Sequence, residues 1–278
     1  MMTLTRPIDD PAIRGKTMFS NLNDEEGVVM TNIIDLSVPI TKRAKLRRMP
    51  EIEHFDHKAY AKLRGPQVGL PSGDLREWGF LAMDKITMTP HEGTHLDAPW
   101  HFAPTAEGKP SKTIDQIPLE WCYSDGVVLD FHHHERERPI LVKDLEEALH
   151  KISYTLKPFD IVLIRTDATR HWLEEGYEDL GAGMLAESTV WLIDQGIKVM
   201  GVDSWTWDMP FDIMRKQRKP EEFLEAHFIG SEKEYCHIEN MANLDRIPKP
   251  FGFKVAVFPI KIEGASAGWA RAVAILEE

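Results

Sequence analysis

From residue 126 onward, short apolar runs alternate with amphipathic stretches, and that alternation restricts the architecture more than any other feature of the chain. The runs Gly126 to Phe131, Asp160 to Arg165 and Lys198 to Asp203 are rich in Val, Ile and Leu and too short for core helices, so they predict buried strands. Between them, Val142 to Ile152 places Leu145, Ala148, Leu149 and Ile152 on one helical face, and Ala186 to Gln195 predicts a second helix closed by Gly196. Further strands are expected at Thr31 to Ile40, Phe80 to Met88, Phe253 to Phe258 and Ala270 to Leu276. Strand, helix, strand, helix, strand with extra strands before and after is the pattern of an α/β fold: a mixed β-sheet core flanked by helices, with antiparallel strands at both ends. The content of 42% hydrophobic and 28% charged residues supports a core of that kind.

The expected organisation is a polar N-terminal arm over residues 1–31 followed by one domain over 32–278. Residues 41–78, with their charge runs, Gly65-Pro66 and Pro71, are expected to form a long loop. A net charge of −12 argues against a sequence-independent grip on nucleic-acid phosphates. No stretch approaches the roughly 20 apolar residues of a membrane span. The N-terminus shows no apolar run behind a basic start, so the expected location is cytoplasmic. Cys122 and Cys236 are expected to be reduced, buried thiols.

The chemistry is concentrated between His91 and Phe102, where His91, His95, Asp97 and His101 are separated by 4, 2 and 4 residues. Pro90, Gly93 and Pro99 disfavour a helix there. In an extended segment, His95 and Asp97 project to the same side. Imidazole and carboxylate together suit zinc and other first-row divalent ions. The run His132-His133-His134 lies among Glu135, Arg136, Glu137 and Arg138 and reads as a solvated loop instead.

The segment fits the pattern His-x-Gly-Thr-His-x-Asp-x-Pro-x-His-Phe at every fixed position and resembles the cyclase-type metal hydrolases, the family of bacterial kynurenine formamidase and isatin hydrolase. The run from Asp35 to Pro39 is similar to the family's first strand, and the Gly-Val-Asp-Ser step at 201–204 to a strand-end motif. A His and a Glu twelve residues apart, here His227 and the Glu239 of Glu239-Asn240-Met241, extend the likeness over roughly residues 31 to 276. The resemblance implies a swivelling β/β/α-like fold, a first divalent ion on His91, His95 and Asp97, and a second on Asp97, His227 and Glu239, with Asp97 as bridge. It also implies His101 as general acid/base and a homo-oligomer, dimer or tetramer. Read without the resemblance, His227 is an ordinary helix residue and Glu239 a surface carboxylate.

The expected function is therefore hydrolysis of an amide C–N bond, in a cyclic amide or an aryl formamide, by water activated at zinc or manganese, with one or two ions bound. Lactone or ester hydrolysis at the same site, and a non-catalytic metal- or ligand-binding role, are the alternatives. Trp100, Trp205, Trp207 and Phe211 are candidates for an aromatic substrate pocket or, equally, for core positions. The chain departs from the compact kynurenine formamidases in its N-terminal arm, in lacking a Trp-Pro-Gly step within 41–78, and in an insertion over 205–220. These departures fall where a substrate is read, so the substrate itself does not carry over.

Overall fold

The apolar runs pair into one nine-stranded sheet in the computed structural model, which describes residues 31–70, 76–217 and 223–277. In chain order the strands are β1 (Thr31–Asp35), β2 (Glu51–Phe55), β3 (Met83–Thr87), β4 (His95–Asp97), β5 (Thr105–Ala106), β6 (Lys109–Pro110) and β7 (Tyr123–Asp130). They continue with β8 (Ile161–Arg165), β9 (Val199–Val202), β10 (Cys236–Glu239), β11 (Phe251–Ala256), β12 (Ala267–Trp269) and β13 (Val273–Glu277). The sheet order is β1-β13-β11-β7-β8-β9-β10-β4-β12. The four central strands β7 to β10 run parallel, as strands joined through helical crossovers do. Antiparallel pairs close both ends, β11, β13 and β1 on one side and β4 and β12 on the other.

Alternation along the strands divides the apolar side chains between two cores. Ile161 and Leu163 of β8 face one cluster with Leu36, Leu96, Ile238 and Val255. Val162 and Ile164 face the other, with Leu129, Met200 and Val202, beneath the helices α3 (Val142–Lys151) and α4 (Ala186–Asp194). Leu145, Leu149, Leu192 and Ile193 are the buried stripes of those helices. Four further helices are short or peripheral: α1 (His57–Arg64), α2 (Pro99–Phe102), α5 (Phe211–Gln217) and α6 (Glu225–Phe228). The mixed sheet with helical flanks and antiparallel ends is the architecture expected from the alternation.

Two expectations need correction. The stretch 41–78 is not a featureless loop. β2 pairs with β3 in a separate two-stranded sheet, and α1 follows β2 at once, begun by Asp56, whose carboxylate accepts from the Ala59 N–H at 2.8 Å. The three-residue strands β4 and β12 and the four-residue strand β10 were not legible as strands, because at that length no periodicity develops. The proposed arm lies, except for its last residue, outside the described residues. Cys122 and Cys236 are both buried and free, and His132 to His134 sit on a turn, His133 exposed and the other two half-buried.

The segment after β9 is held partly by close backbone contact. Met184 N–H donates to Trp207 O at 2.9 Å, and Gly183 lies so close beneath that a Cβ there would stand 2.2 Å from Asp208 O. Gly183→Ala is expected to force the backbone at Asp208 outward and destabilise the fold by about 1–3 kcal/mol, the usual range for overpacking. Thermal unfolding checks this: the variant melts several degrees lower, whereas an unchanged midpoint contradicts the close approach.

Candidate metal centre

The register of two short strands brings the site together. β10 lies antiparallel to β4 with His237 opposite Asp97 and Glu239 opposite His95. Leu96 and Ile238, the alternate residues, point into the core on the other side. His95, Asp97, His237 and Glu239 therefore share one face, all buried. His237 Nε2 lies 3.0 Å from Asp97 Oδ2 and 3.3 Å from Glu239 Oε1, while His95 Nε2 lies 3.3 Å from Asp97 Oδ1 and 3.7 Å from Glu239 Oε2.

Three further imidazoles reach this patch from a turn and two short helices. Gly93, at φ +72°, turns the chain between His91 and His95 in a conformation that favours glycine. His91 Nδ1 comes within 2.8 Å of Asp97 Oδ1, and its Nε2 within 2.9 Å of Ser266 Oγ. Pro99 opens α2 in its first turn, which aims His101 back so that its Nε2 is 3.9 Å from Asp97 Oδ2. His227, on α6, places Nε2 3.7 Å from Glu239 Oε1. The position of α6 is set by Asp208, whose carboxylate accepts from Ala226 N–H at 2.8 Å, from His227 N–H at 3.1 Å and from His227 Nδ1.

Two buried carboxylates among imidazoles set the electrostatics. Burial alone raises the Asp97 carboxyl, but His95, His101 and the hydrogen bond from His237 outweigh it and hold Asp97 well below the usual carboxylate range. Burial likewise opposes ionisation of Glu239, and His237 brings its pKa below the ordinary value. Burial also disfavours charge on His237, but its bonds to Asp97 and Glu239 raise it to about 9. His101, whose side chain is 33% exposed, goes the other way. Partial burial, seconded by His91 and His227 and opposed by Asp97, lowers it to about 4, so it is neutral at pH 7.

The donor set fits a divalent metal on two grounds. First, His95 Nε2 and Asp97 Oδ1 are buried and lack any hydrogen-bond partner; the close approach of His91 to Asp97 Oδ1 is not aligned as a hydrogen bond. Orphaned buried atoms of that kind are costly unless a ligand completes them. Second, His95 donates Nδ1–H to Gly93 O at 2.9 Å, and His227 donates Nδ1–H to Asp208, which turns both Nε2 lone pairs toward the carboxylates. Fixing the remote ring nitrogen in this way is characteristic of metal-ligating histidine. Ligand atoms of Asp97, His227, His237 and Glu239 lie within 4.8 Å of one another, as do those of His91, Asp97 and His101. Asp97 belongs to both groups.

His91, His95, Asp97, His101, His227 and Glu239, singled out in the sequence, thus converge on one place. The aromatic candidates do not. Trp207 has no exposed surface; its ring stacks 5.9 Å from His237 and its backbone N–H donates to Glu239 Oε1 at 2.9 Å, so it backs the site from the core side. Phe211 is half-buried and packs against Phe223. Trp205 is half-buried against the separate apolar cluster that contains Val38, Trp172 and Tyr177. Only Trp100, 45% exposed beside His101, offers an open aromatic surface. His237 and Asp208 were not anticipated. A period-two pair His237/Glu239 was visible, but a four-residue strand gave it no frame, and nothing local links Asp208 to a histidine nineteen residues on.

A model of the family described as putative cyclase matches residues 34–209, more than half of the chain. Kynurenine formamidase from Bacillus cereus is 28% identical over 197 residues, covering 71% of this chain and 81% of that enzyme. Kynurenine formamidase from Bacillus thuringiensis is 30% identical over 132 residues, 48% of this chain, which spans about half (56%) of that relative's length. An isatin hydrolase bound to the product analogue thioisatinate superposes with a TM-score of 0.70 at 16% identity, over 89% of this chain and 93% of that one. Isatin hydrolase A from Ralstonia solanacearum gives 0.69 at 21%, over 89% and 92%. At these identities the superpositions establish a shared fold, in which the sheet curls into a half-barrel.

Asp208→Asn keeps the size of the side chain but removes the charge that holds His227 Nδ1–H. Loss of such an outer partner is expected to lower affinity for a divalent ion at His227 and Glu239 by about 10–100-fold. Competition against a chromophoric chelator measures it, and unchanged affinity contradicts the orienting role.

Proposed function

The chain belongs to the putative cyclase family, and on that premise we propose that it is a metal-dependent hydrolase cleaving an amide C–N bond of a small molecule, either a cyclic amide or an aryl formamide. The observation that carries this reading is the orphaned pair His95 Nε2 and Asp97 Oδ1 at the centre of a buried imidazole and carboxylate cluster. The kynurenine formamidase and isatin hydrolase relatives support the bond class.

In this reading His91, His95 and Asp97 hold one divalent ion, and Asp97, His227 and Glu239 a second, with zinc or manganese as the occupant. Such an ion supplies a Lewis acid that polarises a carbonyl and makes hydroxide available near neutral pH. The chain's own residues do the rest. Asp208 and Gly93 O hold the rings of His227 and His95 in register. His101, neutral at pH 7 and partly exposed, takes the proton of the attacking water at Nε2; Asp97, 3.9 Å away, stabilises the imidazolium. His101 then returns the proton to the departing nitrogen. Trp100, beside it, is placed to pack on an aromatic substrate.

No helix among the described residues is long and apolar enough to cross a membrane, in keeping with a cytoplasmic enzyme. In and just before β3 the molecule exposes Trp78, Leu81, Met83 and Ile86, which favours a homo-oligomer, dimer or tetramer.

A panel of aryl formamides, cyclic amides and lactones tests the reaction. Turnover of an amide is expected, abolished by a chelator and restored by zinc or manganese; turnover indifferent to chelation contradicts the proposal. His101→Asn is expected to fold and keep its metal while losing about 10²–10⁴ in turnover, the usual worth of general acid–base catalysis. Loss of metal as complete as in His95→Ala makes His101 a ligand instead.

A further inference from the structure

We infer that His237 is a fourth ligand of the second metal position, which is thereby closed by the protein, leaving the position at His91, His95 and Asp97 as the open one; this rests on the metal-dependent reading above. The argument begins at Tyr235, whose Oη donates to Ala226 O at 2.6 Å. A phenol has a single proton, so toward His237 Nδ1, 3.3 Å away, Tyr235 Oη is an acceptor. His237 Nδ1 therefore carries the ring proton in the neutral imidazole, and Nε2 presents a lone pair. That lone pair points at Asp97 Oδ2, 3.0 Å away, and Glu239 Oε1, 3.3 Å away.

Among these buried groups Nε2 has two alternatives: a second ring proton, donated to Asp97 Oδ2 at 3.0 Å, or a cation shared with both carboxylates, which leaves the ring neutral. The same arrangement recurs at His95, where Gly93 O takes the Nδ1 proton, and at His227, where Asp208 takes it. His237 differs only in that a tyrosine oxygen serves as the anchor. With it, Asp97, His227, His237 and Glu239 form a wholly buried quartet whose ligand atoms lie within 4.8 Å of one another. Four protein ligands on a tetrahedral ion mark a closed position, whereas three leave room for water or substrate. The other position lies toward the surface, where His91 and His101 are 20% and 33% exposed. Substrate then meets the ion at His91 and His95, next to His101, and the second ion is held beneath it.

Cobalt titration of the purified, metal-stripped protein tests this with His237→Gln and His237→Phe, each checked for folding by its unfolding midpoint. The wild type is expected to take two equivalents, one giving the intense visible absorption of four-coordinate cobalt. Each folded variant is expected to lose that absorption and to bind one equivalent at least about tenfold more weakly, with the other equivalent unchanged. Two equivalents of unaltered affinity and spectrum in His237→Gln overturn the inference. So does a wild type whose two cobalt ions both lack the four-coordinate spectrum, a result that needs no variant. A wild type that binds no cobalt at all overturns the metal-dependent reading itself.

Discussion

Asp97 and Glu239 are carboxylates buried on neighbouring antiparallel strands, and the surrounding structure is arranged to supply the positive charge they require. An ionised carboxylate removed from water costs several kcal/mol even after relaxation unless it is paired. Here the partners are imidazoles, brought in from β4, β10, α2, α6 and the turn before β4. Imidazoles alone satisfy the pair only by taking up protons against their own burial. Divalent cations do so while leaving the rings neutral, with their lone pairs already aimed inward. The same geometry that makes the cluster costly when empty makes it a strong site when filled.

That arrangement depends on a small number of buried polar locks. Asn240, fully buried at φ +55°, follows Glu239 directly. Its side chain donates to Gly93 O at 3.2 Å and accepts from Tyr177 Oη at 2.7 Å, while its carbonyl accepts from Thr94 Oγ1 at 2.6 Å. The end of β10 is thereby fastened to the turn that carries His91 and His95. Asp203 performs a similar task at the ends of β8 and β9, accepting from Thr166 N–H and Oγ1, both at 2.6 Å, and from Asp167 N–H at 2.9 Å. The Gly-Thr, Gly-Val-Asp-Ser and Glu-Asn-Met steps of the sequence are thus largely devices for holding ligands in place. Hydroxyls and amides in such positions fix geometry because each unmade bond in a buried network is expensive.

Much of the fold was legible in the sequence because long apolar runs and amphipathic helices declare themselves. Val162, Ile164, Leu145 and Leu149 follow the expected periods and form the expected core. Six of the polar residues that converge at the site were legible too, since the dense His91 to Phe102 segment and the His227/Glu239 spacing carry a family pattern. What escaped was whatever depends on contacts between distant short segments. β4 and β10 are too brief to show periodicity, so the face shared by His237 and Glu239 emerges only once register is known. Asp208 is an unremarkable acid in a Trp-rich stretch until α6 packs onto it. Trp207 looked like a pocket residue for the same reason: composition cannot tell a ring that lines a cleft from one that backs it. The helix α1 was missed although Asp56 before it and Gly65 after it are cap signals, because the charge runs and prolines around it read as turn chemistry.

The central claim is that Asp97 joins two metal positions, one toward the surface and one beneath. Anomalous diffraction from crystals of the metal-loaded protein, collected at the zinc and manganese absorption edges, tests it most directly. Two anomalous peaks are expected, one contacting His91, His95 and Asp97 and the other contacting Asp97, His227, His237 and Glu239. The absence of any peak in this cluster, or a single ion that does not touch Asp97, contradicts the account.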